Sequence, residues 1–291
     1  MSEPIRIGGT MAANILGVGF KTPLEAWALL TQKMQPDNLD DVERVEAGLF
    51  MEDAAARWFQ HRTGILVEPA PGLVVDARYP WLAGSPDRLI CFDDGKRGVL
   101  ECKNTHSFAK NDWRTSDDPT APVVVPEGYQ VQLQTYLRIT GLEVGYFAAI
   151  VGGNHLETPR MDRNDEFIAA MLEELERFLA EHVVKDIPPP VTGRDLGCLK
   201  RLFPKDTGET RTANLHAPES LALKELIKVK AEIKALEKAR DEAQAILCAS
   251  LGDATELVTP YGKATWKWQK AEHAAREART IESRVLRTKE Q

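Results

Sequence analysis

Three side chains able to do chemistry together fall in one short stretch of the sequence. Asp87, in Ser85-Pro86-Asp87, precedes the triplet Glu101-Cys102-Lys103. Gly98 to Lys103 carries Val99 and Leu100 and follows the turn-forming Asp93-Asp94-Gly95, the pattern of a β-strand entered from a hairpin. Side chains alternate along a strand, so Val99, Glu101 and Lys103 share one face and Leu100 and Cys102 the other. The run Arg88 to Phe92 is the natural antiparallel partner, which sets Asp87 beside the Glu101–Lys103 end. Two carboxylates so placed can share a divalent cation. Oxygen ligands favour Mg²⁺, or Mn²⁺, over zinc. Such an ion acidifies water and neutralises phosphate charge, and a lysine beside it can orient or deprotonate an attacking water. The alternative is an ordinary surface ion pair between Glu101 and Lys103. Pro86-Asp87 on the preceding strand weighs against that.

At these residues the chain resembles the PD-(D/E)xK nuclease superfamily and, within it, the phage YqaJ-like recombinases related to lambda exonuclease. Pro86-Asp87 and Glu101-x-Lys103 carry the resemblance, which extends over about residues 1–180. It implies that Asp87 and Glu101 hold the metal, aided by the backbone carbonyl of Cys102, while Lys103 positions or activates water. Gly48-Leu49-Phe50-Met51-Glu52 matches the family's Gly-x-x-x-Glu element and offers Glu52 as a third acidic ligand. Tyr129-Gln130-Val131-Gln132-Leu133-Gln134-Thr135-Tyr136 matches its glutamine helix, with Gln130 as first candidate and Gln132 as second. On a helix Gln130 and Gln134 lie on one face and Gln132 with Tyr136 on a neighbouring one, so the three cannot all reach one phosphate. In lambda-type enzymes a basic, hydroxyl-rich pocket receives the 5′-phosphate, and Arg6-Ile7-Gly8-Gly9-Thr10-Met11-Ala12-Ala13 resembles that segment. Arg6 would supply a bidentate guanidinium, with Thr10 and Ser85 as further pocket positions. Ala13 departs from the serine expected there, and Thr10 or Asn14 would have to compensate.

The elements that position these residues are legible in outline. Thr22 to Lys33 opens with a Thr-Pro start signal and reads as a helix, and Asp40 to Arg62 as a second one stopped at Gly64. Strands are expected over Leu73–Arg78, Asp87–Phe92, Gly98–Lys103 and Val144–Val151, with a helix over Gly128–Thr140. Asp165 to Glu181 places Phe167, Met171, Leu175 and Phe178 on one side of an amphipathic helix. The fold class is thus α/β, a mixed central sheet flanked by helices, as the nuclease resemblance also implies. The long segment Asn104–Glu127 follows the candidate strand directly. Its Trp113 could stack on a base, with Lys110 or Arg114 on phosphate; equally, Trp113 could anchor the segment to the core.

Residues 1–190 read as the nuclease core. Ile187-Pro188-Pro189-Pro190 ends the acidic helix, 191–216 read as a linker, and 217–291 as a helical arm. In the arm Leu226, Val229, Ile233, Leu236, Ala243 and Leu247 fall near heptad spacing, interrupted by Arg240. Pro260-Tyr261-Gly262 turns a small hairpin, and Ala274, Ala278, Ile281 and Val285 mark a final amphipathic stretch. Two such helices could fold back on each other or pair with another chain.

Net charge is −7, with +2 in residues 217–291 and −9 in residues 1–216, so a DNA path must be a local basic stripe. No apolar run approaches the length of a membrane span, and the start lacks a signal-peptide pattern. Cys91, Cys102, Cys198 and Cys248 form no CxxC pair, which argues against an iron–sulfur site and for a reduced, cytoplasmic protein. The resemblance implies a 5′-to-3′ exonuclease on linear double-stranded DNA ends, phage- or prophage-borne in a bacterial host. It further implies a single-strand annealing protein as partner and a homo-oligomer able to enclose DNA. An endonuclease with the same site and a non-catalytic DNA-binding scaffold are the competing expectations.

Overall fold

The computed structural model describes residues 5–39, 42–106, 113 and 123–269. Lys110, Arg114 and the final stretch from Ala274 to Val285 lie outside the described residues. The chain opens with three helices, α1 (Gly9–Ile15), α2 (Pro23–Leu30) and α3 (Glu43–Thr63). Helix α2 starts where the Thr-Pro pair places it: Thr22 Oγ1 accepts the Glu25 amide at 3.2 Å and Pro23 takes the first helical turn. Helix α3 ends on Gly64 at φ 74°, the left-handed position that favours glycine.

Strands β1 (Leu66–Glu68), β2 (Val74–Val75), β3 (Ala83–Gly84), β4 (Arg88–Cys91) and β5 (Arg97–Thr105) follow, then helix α4 (Glu127–Thr140). Strands β6 (Val144–Val151), β7 (His155–Glu157) and β8 (Arg160–Asp162) and helices α5 (Asp165–Phe178) and α6 (Leu196–Leu202) come next. The main sheet has the order β1-β4-β5-β6-β7, with β8 also pairing β6. Pairing of β4 with β5 is antiparallel, and that of β5 with β6 parallel across the α4 crossover, so the sheet is mixed. The expected strand 73–78 shrinks to β2, which pairs with β3 outside the main sheet. Asp76 ends it by accepting the amides of Arg78 and Tyr79 at 2.9 Å each, a turn closed by its own side chain.

Alternation sorts the core into two layers. Val99, Phe147, Ala149 and Val151 pack with α1, α4 and α5, whereas Ile90, Leu100, Cys102, Ala148 and Ile150 pack with Ala55, Ala56 and Phe59 of α3. Burying Phe59, Ile90 or Leu100 stabilises the fold by roughly 1.5–3 kcal/mol each. Strand β6 is apolar on both faces because helices cover both. Helix α5 is rotated from its expected face: Ile168 and Leu172 are buried alongside Met171, Leu175 and Phe178, and Phe167 turns outward.

Trp113 is corrected as a base-stacking candidate. Its ring is 1% exposed, stacks on Tyr129 at 5.6 Å and meets Phe147 edge-on, so it is itself a core residue.

The expected linker also begins too early, because the compact first unit runs to Leu202. Thr22 hydrogen-bonds the buried Asp195, Arg194 donates to the carbonyls of Gly17 and Gly19, and Arg201 pairs with Asp37 at 2.8 Å. The second unit, from Phe203, contains α7 (Pro218–Leu251) and an antiparallel hairpin of β9 (Glu256–Thr259) and β10 (Gly262–Thr265). Among the described residues no helix is long and apolar enough to cross a membrane.

Candidate active site

The centre of the site is built by β4, β5 and α4. The register that opposes Arg88 to Leu100 carries Asp87 alongside the middle of β5, where Asp87 Oδ2 accepts the Cys102 amide at 2.7 Å. Glu101 and Lys103 point to the α4 side, as the strand period requires, and Lys103 Nζ donates to Glu101 Oε1 at 2.5 Å. Gln132 closes the cluster. Its Nε2 donates to Glu101 Oε1 at 2.6 Å and to the Tyr136 hydroxyl at 3.2 Å, while its Oε1 accepts from Lys103 at 3.1 Å.

The order of the two glutamines is therefore reversed from the sequence expectation. Gln130 donates instead to the Val125 carbonyl at 2.6 Å, fastening the start of its own helix. Gln134 reaches the far side, bonding Asp162 and Asn164. Helix rotation decides this, and close packing of α1 on α4 sets the rotation. A Cβ at Gly9 would come within 2.7 Å of Gln132 Cγ, so only glycine lets the helices approach there.

Glu52 lies on the other side of the sheet, on α3. It is ion-paired with Arg88, whose Nη1 also donates to the Asp87 carbonyl oxygen at 2.6 Å. The pair brings Glu52 close enough for its charge to act on Asp87 and Glu101 without touching either. Arg88 is a site residue the sequence reading missed, although its position directly after Asp87 was a signal. Tyr136 and Tyr129 were missed as well: Lys103 Nζ lies 4.9 Å from the centre of the Tyr129 ring.

Electrostatics follow from burial. Burial pushes the Glu101 carboxyl up to about 8, with Lys103 opposing and Asp87 adding to the shift. Burial also raises Asp87, against the pull of Lys103 and the Cys102 amide. At Lys103 burial works against the charge, but Glu101 and Asp87 outweigh it and hold the ammonium above its ordinary value. Lys103 thus keeps its proton near neutral pH in the metal-free site. The Tyr136 hydroxyl is pushed up by burial and by Glu101, and stays neutral while accepting from Gln132 Nε2.

The donor set fits a hard divalent cation in one specific respect. Both donors to Glu101 use Oε1, and the buried Oε2 has no hydrogen-bond partner among the described residues. A buried carboxylate oxygen left bare is costly, and a cation satisfies it. Among the described residues no three Asp, Glu, His or Cys side chains converge as a ready ligand set, since Arg88 holds Glu52 aside. Two carboxylates are nonetheless enough for Mg²⁺, which keeps several waters and takes phosphate oxygens for the rest.

The candidate phosphate residues are only partly gathered. Residue Ile7 bridges to Leu82, which lays the Arg6 segment along the chain leading to Ser85 and Asp87, and both Arg6 and Ser85 are exposed. Thr10, on α1, instead lines a cavity of about 1320 Å³ whose wall includes Ala13, Gln132 and Tyr129.

Residues 4–143 match the model of the YqaJ-like viral recombinase domain. Asp87, Glu101, Lys103 and Gln132 all fall inside the matched residues. Among curated relatives, the uncharacterized protein YqaJ of Bacillus subtilis (strain 168) is 27% identical over 266 residues, covering 90% of this chain and 80% of the relative. Among solved structures the fold is similar to the alkaline exonuclease LHK-Exo of Laribacter hongkongensis, at 21% identity and TM-score 0.47, covering 62% of this chain and 89% of that one. LHK-Exo in complex with dAMP gives TM-score 0.48 at 21% identity, over 67% of this chain and 92% of that one. A phage related exonuclease from Haemophilus somnus 129PT gives TM-score 0.47 at 11% identity, over 63% and 96% of the two chains. Within the matched residues 4–143, the described cluster is supplied by β4 with the adjoining Asp87, β5, α3 and α4.

Proposed function

We propose that this protein is a divalent-metal-dependent deoxyribonuclease that degrades linear double-stranded DNA from its ends, 5′ to 3′, in phage-type recombination. The observation that carries the reading is the cluster of Asp87, Glu101, Lys103 and Gln132 around the buried Glu101 Oε2, which is left bare. The match to the YqaJ-like viral recombinase domain supports the recombination context.

Asp87 and Glu101, with the Cys102 carbonyl, would hold Mg²⁺ or Mn²⁺, and Glu52 would join on release from Arg88. The ion would neutralise charge on the scissile phosphate and acidify water. Lys103, fixed by Glu101 and Gln132 and kept protonated, orients the attacking water in line with the leaving oxygen. Gln132 locks the lysine and the carboxylate in one geometry, and Tyr136 locks Gln132. Arg6 and Ser85 would receive the terminal phosphate, with Thr10 and Ala13 set apart in the neighbouring cavity wall. A cytoplasmic setting in a bacterial host, an annealing-protein partner and a homo-oligomer around DNA belong to the same reading.

End-labelled linear DNA and a covalently closed circle of the same sequence, incubated with Mg²⁺, test it against Lys103→Ala. Loss of the linear substrate alone, abolished by the substitution, supports the end-dependent reading, and the label position gives polarity. Cutting of the circle replaces it with an endonuclease, and no metal-dependent cutting of either sinks catalysis.

A further inference from the structure

The connection between α1 and α2 carries Phe20, whose side chain is 80% exposed although the backbone beneath it is clamped. The Gly19 amide donates to the Ala13 carbonyl at 2.9 Å, and the Lys21 amide to the buried Asn14 Oδ1 at 3.0 Å. Arg194 donates to the carbonyls of Gly17 and Gly19 at 3.2 and 2.9 Å. The packing leaves no slack, since a Cβ at Gly19 would lie 2.2 Å from Asn14 Oδ1 and one at Gly128 2.8 Å from the Val18 carbonyl oxygen. An apolar ring held rigidly in water gains nothing for the fold.

What the ring faces gives it a use. Phe20 meets Tyr129 edge-on at 6.0 Å, Tyr129 stacks on Trp113 at 5.6 Å, and Lys103 Nζ lies 4.9 Å from the Tyr129 centre. The three rings form a ladder from the core to solvent, one rung of which touches the catalytic lysine. All three line the same cavity of about 1320 Å³ as Gln132. Thr105 is in that wall too, on the face of β5 shared by Glu101 and Lys103, and its buried hydroxyl oxygen has no partner among the described residues. Aromatic surface beside unspent polar atoms, next to a phosphodiester site, matches one nucleotide, with its base on the rings and its phosphate towards Lys103. A base inside a duplex already stacks on its neighbours, so only an unpaired one can use the surface.

We propose that Phe20, backed by Tyr129 and Trp113, is a stacking platform for the base of an unpaired nucleotide at the strand end being processed. The inference rests on the nuclease reading for the placement of the phosphate. It makes the cleft select a frayed or single-stranded terminus by its base surface, independent of base identity.

The test uses the full chain and a hairpin duplex with one unpaired terminal nucleotide, carrying either 2-aminopurine or an abasic residue, titrated without divalent metal. Stacking on Phe20 quenches 2-aminopurine, and Phe20→Ala should remove the quench and lower the base-to-abasic affinity ratio about tenfold. Phe20→Trp should restore both. An unchanged ratio in Phe20→Ala, or equal losses on the two ligands, overturns the proposal. The nuclease reading is scored separately by adding Mg²⁺ to the wild type: absence of cutting defeats that reading, while quench and affinity ratio still decide the platform.

Discussion

The two acidic groups that flank Asp87 are held in opposite ways. Glu101 is 1% exposed and bound by Lys103 and Gln132, both fixed by the packing of α4 on the sheet. Glu52, across the sheet on α3, is 26% exposed and bound by Arg88, itself 21% exposed and near Asp53 as well. The first arrangement is preorganised, because its desolvated charges have no alternative partners in water. The second is exchangeable, since a partly solvated ion pair contributes only about 0–1 kcal/mol. On the proposed reading, one side of the sheet would therefore offer a fixed metal ligand and the other a reserve ligand behind an arginine latch.

This contrast predicts a ranking. Glu101→Gln should lower the cleavage rate by about a thousandfold or more, the scale of losing a principal electrostatic group, with circular dichroism unchanged. An effect below tenfold would remove Glu101 from the centre of the site. Gln132→Ala should cost about 10–100-fold, as for groups that orient a metal-site ligand, against less than about threefold for Gln130→Ala. The reverse order would restore Gln130 to the role the sequence suggested.

Glu52→Gln should cost about tenfold, chiefly as a higher metal requirement, and Arg88→Met should lower that requirement by freeing Glu52. A rise in the metal midpoint for Arg88→Met would refute the latch. The smallest effect concerns stability. Burial raises Glu101 from 4.5 to about 8, so the folded state favours its protonated form. The stability this contributes is full below the unfolded value and is lost as pH rises through about 8. Metal-free wild type should thus lose Tm by a few degrees between about pH 6 and pH 9, whereas Glu101→Gln should stay flat over that range. Mg²⁺ should restore the wild type at the alkaline end, because the ion favours the charged carboxylate.

The second unit differs from the first in what its apolar residues do. In the first, alternation and helical spacing mark residues that end up buried. In α7 Val229, Ile233, Leu236 and Leu247 keep the spacing yet remain exposed. Spacing alone marks a stripe, and whether the stripe is covered depends on what packs against it.

The sequence by itself determined the parts governed by local period and by backbone chemistry. A strand repeats every two residues, so Glu101 and Lys103 had to share a face, and an antiparallel hairpin had to return Asp87 to them. Thr22-Pro23 and Gly64 fixed helix ends through their own hydrogen bonds and dihedral angles. Tertiary structure decided what depends on rotation and on distant partners. Gln132 displaced Gln130 because Gly9 lets α1 press on that face of α4. Trp113 became a core residue because Tyr129 and Phe147 converge on it. Residues 193–202 joined the first unit because Thr22 and Gly17 to Gly19 supply their partners from the far end of the chain. Phe20 stands out because Arg194 and Gly128, more than a hundred residues away, add to the local clamps on its loop, and no local pattern encodes those distant contacts.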